Sequence, residues 1–257
     1  MDAALRPPQP CAIAVMAKAP RAGQVKTRLI PPLTPETASL LSARFLRDVT
    51  ENIRLAARLA AIDGYVAYAP AGDEPLFDGI VAPETRLVLA DGAHAMPAGV
   101  RGIGRSLLHA GRALFARGHA AVCLVNADSP TLPTVLLVDA ARALAAPGDR
   151  VVLGPAEDGG YYLIGMKAPH AHLFDDIAWS TGDVTAQTYA RARALGLAVV
   201  ELAAWYDVDD RATLRRLWRE INGAPPAGAL APYAAPATAA WLAQLGLSDL
   251  LPTAAAD

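Results

Sequence analysis

Residues 121–128 read AVCLVNAD, and this stretch decides the fold that the sequence predicts. Its first five residues are apolar without any polar alternation, which is typical of a β-strand covered on both faces. Strands of this kind occur in parallel sheets that have helices packed on both sides. The stretch therefore predicts an α/β protein.

Strand-like and helix-like segments alternate on both sides of this stretch. The other predicted strands are residues 11–17, 62–70, 85–91, 150–156, 161–166 and 197–202. The predicted helices are residues 34–60, 104–118, 132–146, 181–196 and 211–223. This alternation favours right-handed crossovers and a mostly parallel sheet flanked by helices, within one domain over residues 11–222.

The longest predicted helix has the clearest sequence signature. Thr34 is expected to cap it, with Pro35 at its first helical position. One apolar face recurs every four residues, at Leu41, Phe45, Val49 and Ile53. Asp48 is predicted to lie on the opposite, outer surface and to pair with Arg44.

The composition limits the class of protein. The chain has 257 residues, of which 53% are hydrophobic and 19% charged, so it is not a disordered chain as a whole. Its formal charge of -2 argues against a nucleic-acid partner recruited by electrostatics. Residues 223–257 are rich in Ala and Pro and are interpreted as a C-terminal extension with one short helix, wrapped on the surface and frayed at its end.

The cysteines and the N-terminal residues suggest a cellular compartment. Cys11 and Cys123 both lie in apolar runs, which predicts two buried thiols rather than a disulfide framework. The first ten residues, MDAALRPPQP, do not resemble a signal peptide, and no run of about 20 apolar residues predicts a membrane span. A cytoplasmic protein without a membrane partner is therefore expected.

A basic loop follows the first strand. It reads KAPRAGQVKTRL, and its cations are Lys18, Arg21, Lys26 and Arg28. With Gly23 and Thr27, the loop offers backbone N–H groups and point charges to a polyphosphate, although it is not a Walker A loop. Lys18, Lys26 and Arg28 are the best candidates for phosphate binding, whereas Arg21 is expected to be exposed. The alternative is a solvated basic loop.

Acidic residues follow two other strands. Asp128 comes at the exit of an apolar strand, where a carboxylate is costly unless it is paired or binds a cation such as Mg²⁺. It could instead cap the next turn, and Asn126 could have a lesser polar role. Asp207 and Asp209 are candidates for a second acid opposite Asp128, unless Asp209 or Asp210 caps the following helix.

Two further loops are candidates for substrate contact. Asp158, Gly159 and Gly160 lie between two predicted strands and would let the backbone approach a ligand closely, or they form a plain Asp-Gly hairpin turn. Trp179, Ser180 and Thr181 lie at the start of a predicted helix, where Ser180 or Thr181 could merely be a cap.

Five motifs taken together resemble a known family. In order they are KAPRAGQVKTRL, NADSP, LGPAEDGGYYLIGM, IAWST and DVDD. They are similar to bacterial glycosyltransferase-A-like proteins of the nucleotide-diphospho-sugar transferase superfamily, which are associated with radical-SAM/selenodomain or arsenosugar gene sets. More distantly, K-x-P-x-x-x-x-x-K-T-R-L with a later D-G-G is similar to 2-phospholactate guanylyltransferase and the molybdopterin-cofactor nucleotidyltransferases.

The resemblance implies a single Rossmann-like domain that binds a nucleoside triphosphate or nucleotide sugar through Mg²⁺ or Mn²⁺. Asp128 matches the metal-binding acid, and Asp207 and Asp209 fall where related enzymes present a second one. The family's phosphate-binding loop matches Lys18, Lys26 and Arg28. Its acceptor-side loop matches Asp158, Gly159 and Gly160. One departure is residues 102–107, GIGRSL, where the family usually has G-x-L-G-E-R-L, which puts a substrate contact by Arg105 in doubt.

The predicted chemistry is metal-assisted transfer at a phosphate. Lys26 and Arg28 would neutralise charge on a leaving pyrophosphate while Asp128 holds the metal. The dense cationic loop slightly favours nucleotidyl transfer to a small acceptor with release of pyrophosphate. The alternatives are a glycosyltransferase that uses a nucleotide-sugar donor and a nucleotide-binding protein without catalytic activity.

Overall fold

The computed structural model describes residues 10–92, 95–223 and 230–245, and it confirms the predicted α/β fold. The strands are β1 Cys11–Ala17, β2 Ile62–Tyr68, β3 Arg86–Leu89, β4 Ala121–Asn126, β5 Arg150–Pro155, β6 Tyr161–Met166 and β7 Ala198–Glu201. The helices are α1 Pro35–Ala56, α2 Ile103–Ala116, α3 Thr134–Ala145, α4 Val184–Ala194, α5 Arg211–Ile221 and α6 Pro236–Leu245.

The strands of the described residues form one seven-stranded sheet in the order β3-β2-β1-β4-β6-β5-β7. All neighbouring pairs are parallel except those made by β6, which runs antiparallel to β4 and β5. Residues 156–160 join β5 to β6, and a connection this short permits only an antiparallel hairpin. The hairpin turn therefore lies at the same edge of the sheet as the carboxyl ends of the parallel strands.

The sheet has an apolar layer on each face. On β4, Cys123 and Val125 contact the cluster formed with α1, α3, α5 and α6, whereas Val122 and Leu124 contact the cluster formed with α2. This confirms the prediction that the unbroken apolar strand is covered on both sides. Cys11 and Cys123 are buried free thiols, with their Sγ atoms 3.9 Å apart.

Helix α1 follows the prediction except at one residue. The Thr34 hydroxyl accepts a hydrogen bond from the Thr37 N–H at 3.2 Å, and the predicted apolar ladder is buried. The prediction of a surface Asp48 paired with Arg44 is wrong, because Asp48 is only 1% exposed. Its carboxylate accepts the backbone N–H groups of Ala237 and Thr238, at 2.9 and 2.7 Å, in the first turn of α6.

Helix α6 belongs to the predicted C-terminal extension. Within it, Trp241 and Leu242 are buried in the same apolar cluster as α1, so the described part of the extension contributes to the core. Residues 224–229 and 246–257, including the end predicted to fray, lie outside the described residues. None of the helices described is long and apolar enough to cross a membrane.

Candidate active site

The predicted site segments meet at the carboxyl edge of the parallel strands, where open α/β sheets bind their ligands. The Val208 N–H donates to the Asp128 carbonyl at 2.9 Å, which draws residues 207–210 against the end of β4. The Glu157 N–H donates to the Trp205 carbonyl at 3.0 Å, which fixes the β5–β6 turn beside the same segment. Segments far apart in sequence are thus held together by backbone hydrogen bonds.

Lys26 lies at the centre of this arrangement. Its Nζ is 2.7 Å from Asp128 Oδ1 and 3.1 Å from Asp209 Oδ1, and it donates to the Val208 carbonyl at 2.6 Å. The side chain is only 4% exposed. Lys26 therefore joins two of the three predicted metal ligands, Asp128 and Asp209, through its positive charge, in addition to lining the cavity described below.

The local backbone explains how Lys26 reaches this position. Lys26 adopts a left-handed conformation with φ +50°, directly before a single 3-10 turn at Thr27–Leu29. Leu29 is fully buried and anchors that turn in the core, and the Phe45 ring lies 5.3 Å from Lys26 Nζ. The chain thus turns the ammonium inward, toward two aspartates, whereas the sequence predicted Lys26 as a cation of a phosphate-binding loop.

The other three cations of the loop differ in their exposure to solvent and in the acids that they contact. Arg28 is 73% exposed, with Nη1 3.6 Å from Asp209 Oδ2. Lys18 is exposed and lines a cavity. Arg21 is 45% exposed, as predicted, and also forms a salt bridge with the nearly buried Asp73. Of the three cations predicted to bind phosphate, Lys18 and Arg28 are thus exposed, whereas Lys26 is buried against two acids.

The acids after β7 have separate positions. Asp210 caps α5, where its carboxylate accepts the Thr213 N–H at 2.8 Å in a capping box, so the alternative of a helix cap applies to Asp210. Asp209 contacts Lys26 and Arg28 instead. Burial raises the pKa of Asp207 to about 6, and the negative charges of Asp209, Asp158 and Asp128 add to this effect.

The acidic side chains at this edge of the sheet are potential ligands of a divalent cation. In residues 10–92, 95–223 and 230–245, no three His, Cys, Asp or Glu side chains form a ready-made metal cluster. Mg²⁺, however, needs only one or two carboxylates, because phosphate and water supply the rest of its ligands. Asp128 and Asp209 already share one cation, the Lys26 ammonium, and Asp207 adds a third carboxylate nearby. The carboxylates present fit a hard divalent cation.

Two cavities adjoin at this edge. The first has a volume of about 400 Å³, lies at the ends of β1 and β2, and is lined by Lys18, Lys26, Thr27, Arg28, Asp128 and Asp209 among others. The second has a volume of about 420 Å³, and its lining includes Asp158, Gly160, Tyr161, Trp179, Ser180 and Thr181. Both are lined by Met16, Arg28, Ile103 and Asp209, so these residues mark their border. Gly23 is not among the lining residues and instead supplies a turn with φ +74°.

The glycine-rich loop is an Asp-Gly hairpin turn that also lines the second cavity. Asp158 Oδ1 accepts the Gly160 N–H at 2.8 Å, and the Ala156 N–H donates to the Gly160 carbonyl at 2.8 Å. Gly159 has φ +91°, and a Cβ there would lie 2.1 Å from the Gly182 carbonyl oxygen. Gly159 therefore permits contact between two loops, while Asp158 and Gly160 remain at the cavity.

One residue that the sequence did not single out, Tyr161, completes the second cavity together with the predicted Trp179. Tyr161 lines it, and the Trp179 indole packs on Gly104, where an added Cβ would lie 2.8 Å from Cζ2. The GIG segment at residues 102–104 makes room for this indole, because Gly104 has no side chain. Arg105 is exposed and is not among the lining residues, and the Thr181 hydroxyl closes a turn by donating to the Ala178 carbonyl at 2.7 Å.

Comparison with known proteins gives a family and a fold. Residues 52–181, which are 130 of the 257 residues, match the family described as "Uncharacterized protein conserved in bacteria (DUF2064)". No curated protein matches the chain significantly. A candidate nucleotide-diphospho-sugar transferase from Desulfovibrio desulfuricans G20 is 27% identical, with 94% of this chain and 96% of that chain covered and a TM-score of 0.75.

Two more distant structures resemble the chain less closely. CMP:2-keto-3-deoxy-manno-octonic acid synthetase in complex with CTP is 14% identical, with 80% of this chain and 96% of that chain covered and a TM-score of 0.48. Rv0371c from Mycobacterium tuberculosis H37Rv, in complex with manganese, is 19% identical, with 82% and 98% covered and a TM-score of 0.43. Neither likeness carries an argument about the site of this chain.

Proposed function

This chain belongs to the DUF2064 family, and we propose that it is a divalent-metal-dependent transferase that binds a nucleotide-linked donor in the first cavity and an acceptor in the second. One observation carries the proposal: the two cavities share Arg28 and Asp209, and Asp128 lies beside Asp209 at that border. The Arg28 guanidinium, next to these carboxylates, can bind the phosphates of a donor at the border. The group to be transferred then reaches into the second cavity.

The accessible charge favours glycosyl transfer from a nucleotide sugar. The preference for nucleotidyl transfer depended on four cations in one loop, but Arg21 is paired with Asp73, and Lys26 with two acids. Lys18 and Arg28 are the exposed cations that line the first cavity, and two such charges match a diphosphate better than a triphosphate. The D. desulfuricans structure, described as a candidate nucleotide-diphospho-sugar transferase, supports the same choice.

The side chains of this site have separable tasks. Lys18 and Arg28 bind and orient the diphosphate, and the exposed Asp158 carboxylate accepts the proton of the acceptor hydroxyl. The acceptor oxygen bonds to the sugar carbon, while the bond from that carbon to the phosphate oxygen breaks and leaves its electrons on the nucleoside diphosphate. Asp128, with Asp209 or Asp207, would hold Mg²⁺ or Mn²⁺, which supplies positive charge to the leaving phosphates.

Nucleotidyl transfer is the second candidate, favoured by the exposure of Arg28. With 73% of its side chain exposed at the border of the cavities, Arg28 is accessible to a leaving pyrophosphate. The products separate the two reactions, because glycosyl transfer releases a nucleoside diphosphate and nucleotidyl transfer releases inorganic pyrophosphate. A donor that binds without giving either product would instead indicate a nucleotide-binding protein.

The test of the proposal replaces Asp128. Binding of UDP, GDP, CDP and ADP is measured by calorimetry with and without Mn²⁺, in the wild type, Asp128→Asn and Asp139→Asn. Asp139 is an exposed acid on α3 and serves as the matched control. We expect Mn²⁺ to strengthen binding of at least one nucleotide tenfold or more, and Asp128→Asn alone to remove that gain, because it loses one carboxylate charge at the site. Metal-dependent binding that survives in Asp128→Asn would contradict the assignment.

A further inference from the structure

The ammonium of Lys26 contacts the same carboxylates that would hold a divalent cation. Its Nζ lies 2.7 Å from Asp128 Oδ1 and 3.1 Å from Asp209 Oδ1. The two acidic side chains are nevertheless 39% and 40% exposed, and both line the first cavity. A cation that binds them from the cavity therefore shares its ligands with the positive charge of Lys26.

More than the two acids holds this ammonium in place. Lys26 Nζ also donates to the Val208 carbonyl at 2.6 Å, and the Val208 N–H donates to the Asp128 carbonyl. The left-handed backbone at Lys26 and the fully buried Leu29 direct the side chain inward, where it is only 4% exposed. Lys26 therefore stays beside the acids when another cation approaches.

The charges at this point nearly cancel. The acids are Asp128, Asp207 and Asp209, and the cations beside them are Lys26 and Arg28. Two of the three negative charges are thus offset, so a free divalent cation meets little net attraction and is repelled by the buried ammonium. A bound diphosphate adds negative charge, and its oxygens complete the ligand set of a hard cation such as Mg²⁺.

We propose that Lys26 acts through Asp128 and Asp209 as a positioning residue that lowers the affinity of the site for a free divalent cation. The cation then binds together with the phosphates of the donor and not before them. This inference rests on the proposed function for the identity of the donor. The effect of Lys26 on a free cation is testable without any nucleotide.

The experiment measures binding of Mn²⁺ alone by electron paramagnetic resonance, which reports the free ion, in the wild type, Lys26→Met and Lys26→Gln. Methionine removes the charge and the donors, whereas glutamine removes the charge and keeps N–H donors for the carboxylates. We expect a wild-type dissociation constant above about 1 mM, and a constant at least about tenfold lower in both variants. Lys18→Met is the matched control, because it removes an exposed cation of the same loop and should change the affinity less than about threefold.

Stability separates this role from a purely structural one. Lys26→Met leaves two carboxylates without their cation, so about 1 mM Mn²⁺ should raise its melting midpoint by more than that of the wild type. A lysine that only supported the fold would give no such difference. Asp128→Asn in the Lys26→Met background should abolish the gain in Mn²⁺ affinity, because it removes one of the carboxylates that would bind the ion.

Two results would overturn the inference. One is Mn²⁺ binding by the Lys26 variants that is no tighter than that of the wild type, which would mean that Lys26 only orders the acids. The other is a wild-type dissociation constant for Mn²⁺ alone below about 1 mM, a measurement that needs no variant to fold.

Calorimetry with nucleoside diphosphates on the same samples separates this inference from the proposed function. If the wild type binds a nucleotide more tightly with Mn²⁺ but the Lys26 variants gain no affinity for Mn²⁺ alone, only the inference about Lys26 is rejected. If the variants gain that affinity but Mn²⁺ strengthens no nucleotide binding in the wild type, the proposed function is rejected and the effect of Lys26 on a free cation stands.

Discussion

At the scale of single residues, the unexpected feature is the position of Lys26. A lysine in a basic loop is ordinarily solvated, yet this ammonium is buried and contacts Asp128, Asp209 and the Val208 carbonyl. Three donors of the ammonium therefore meet three acceptors. Lys26 holds the two acids in place, so the site has an organised pair of carboxylates before any ligand binds.

Lys26→Met tests this role, because methionine preserves length and apolar volume but not charge. The change leaves two carboxylates without their cation, and we expect the free energy of unfolding to fall by about 1–2 kcal/mol. This is less than the value for a fully buried pair, because both aspartates are partly exposed to solvent and screened.

Urea denaturation at neutral pH measures the loss. Lys18→Met, at an exposed lysine of the same loop, should change stability by less than about 0.5 kcal/mol. Equal stability of the two variants would show that the Lys26 contacts contribute nothing to the fold.

At the scale of elements, helix α6 is attached to α1 through Asp48. The residue before α6 is Ala235, which has φ +43° and no side-chain acceptor for a cap. Asp48 on α1 takes the place of that cap and accepts two N–H groups of the first turn of α6. A carboxylate at this position also suits the positive end of the helix dipole. One acid thus connects the described part of the C-terminal extension to the domain.

Asp48→Ala should release α6 from α1. It leaves two N–H groups in the α1–α6 contact without acceptors, so we expect a loss of about 1–2 kcal/mol at pH 7 and faster hydrogen exchange of the amides of α6. Asp139→Ala removes an exposed acid from α3 and should change neither quantity. Unchanged exchange in α6 of the Asp48→Ala variant would contradict this role.

The stability that Asp48 contributes should decrease as the pH rises, as a comparison with the same Asp48→Ala variant can show. Burial raises the pKa of Asp48 above its ordinary value of 3.8, although the N–H donors of Ala237 and Thr238 lower it in part. The native state therefore keeps this proton to higher pH than the unfolded state, so the contribution of Asp48 to stability falls as the pH rises from about 3.8 through the raised pKa. The stability difference between wild type and Asp48→Ala should narrow over this range, as denaturation at several pH values would show.

At the scale of the whole molecule, the sheet order places the most protected strands at the centre. β1 and β4 are neighbours inside the sheet with apolar clusters on both faces, whereas β3 and β7 are four-residue strands at its two edges. Native-state hydrogen exchange should be slowest in β1 and β4 and at least about tenfold faster in β7, because an edge strand opens without disrupting the core. Protection of β7 equal to that of β4 would mean that the sheet opens only as one unit.

The sequence by itself determined the fold class and the short-range features. The unbroken apolar run of β4 required helices on both faces, and the capping residues and four-residue ladder of α1 identified that helix. These signals are local, since each depends on the period of a strand or a helix. The candidate loops could also be located from local signals. Their polar residues directly follow predicted strands, and ligands bind at that edge of the sheet.

Only the tertiary structure decided which of these residues meet and which face inward. Lys26 and Asp128 are about a hundred residues apart, and no local pattern shows that the ammonium is buried against that carboxylate or that Arg21 is paired with Asp73. The burial of Asp48 likewise depends on α6, which follows it by nearly two hundred residues. The physical reason is that solvent exposure and charge pairing depend on which distant segments pack together and displace water. The hydrophobic period of a single strand or helix carries no information about those contacts.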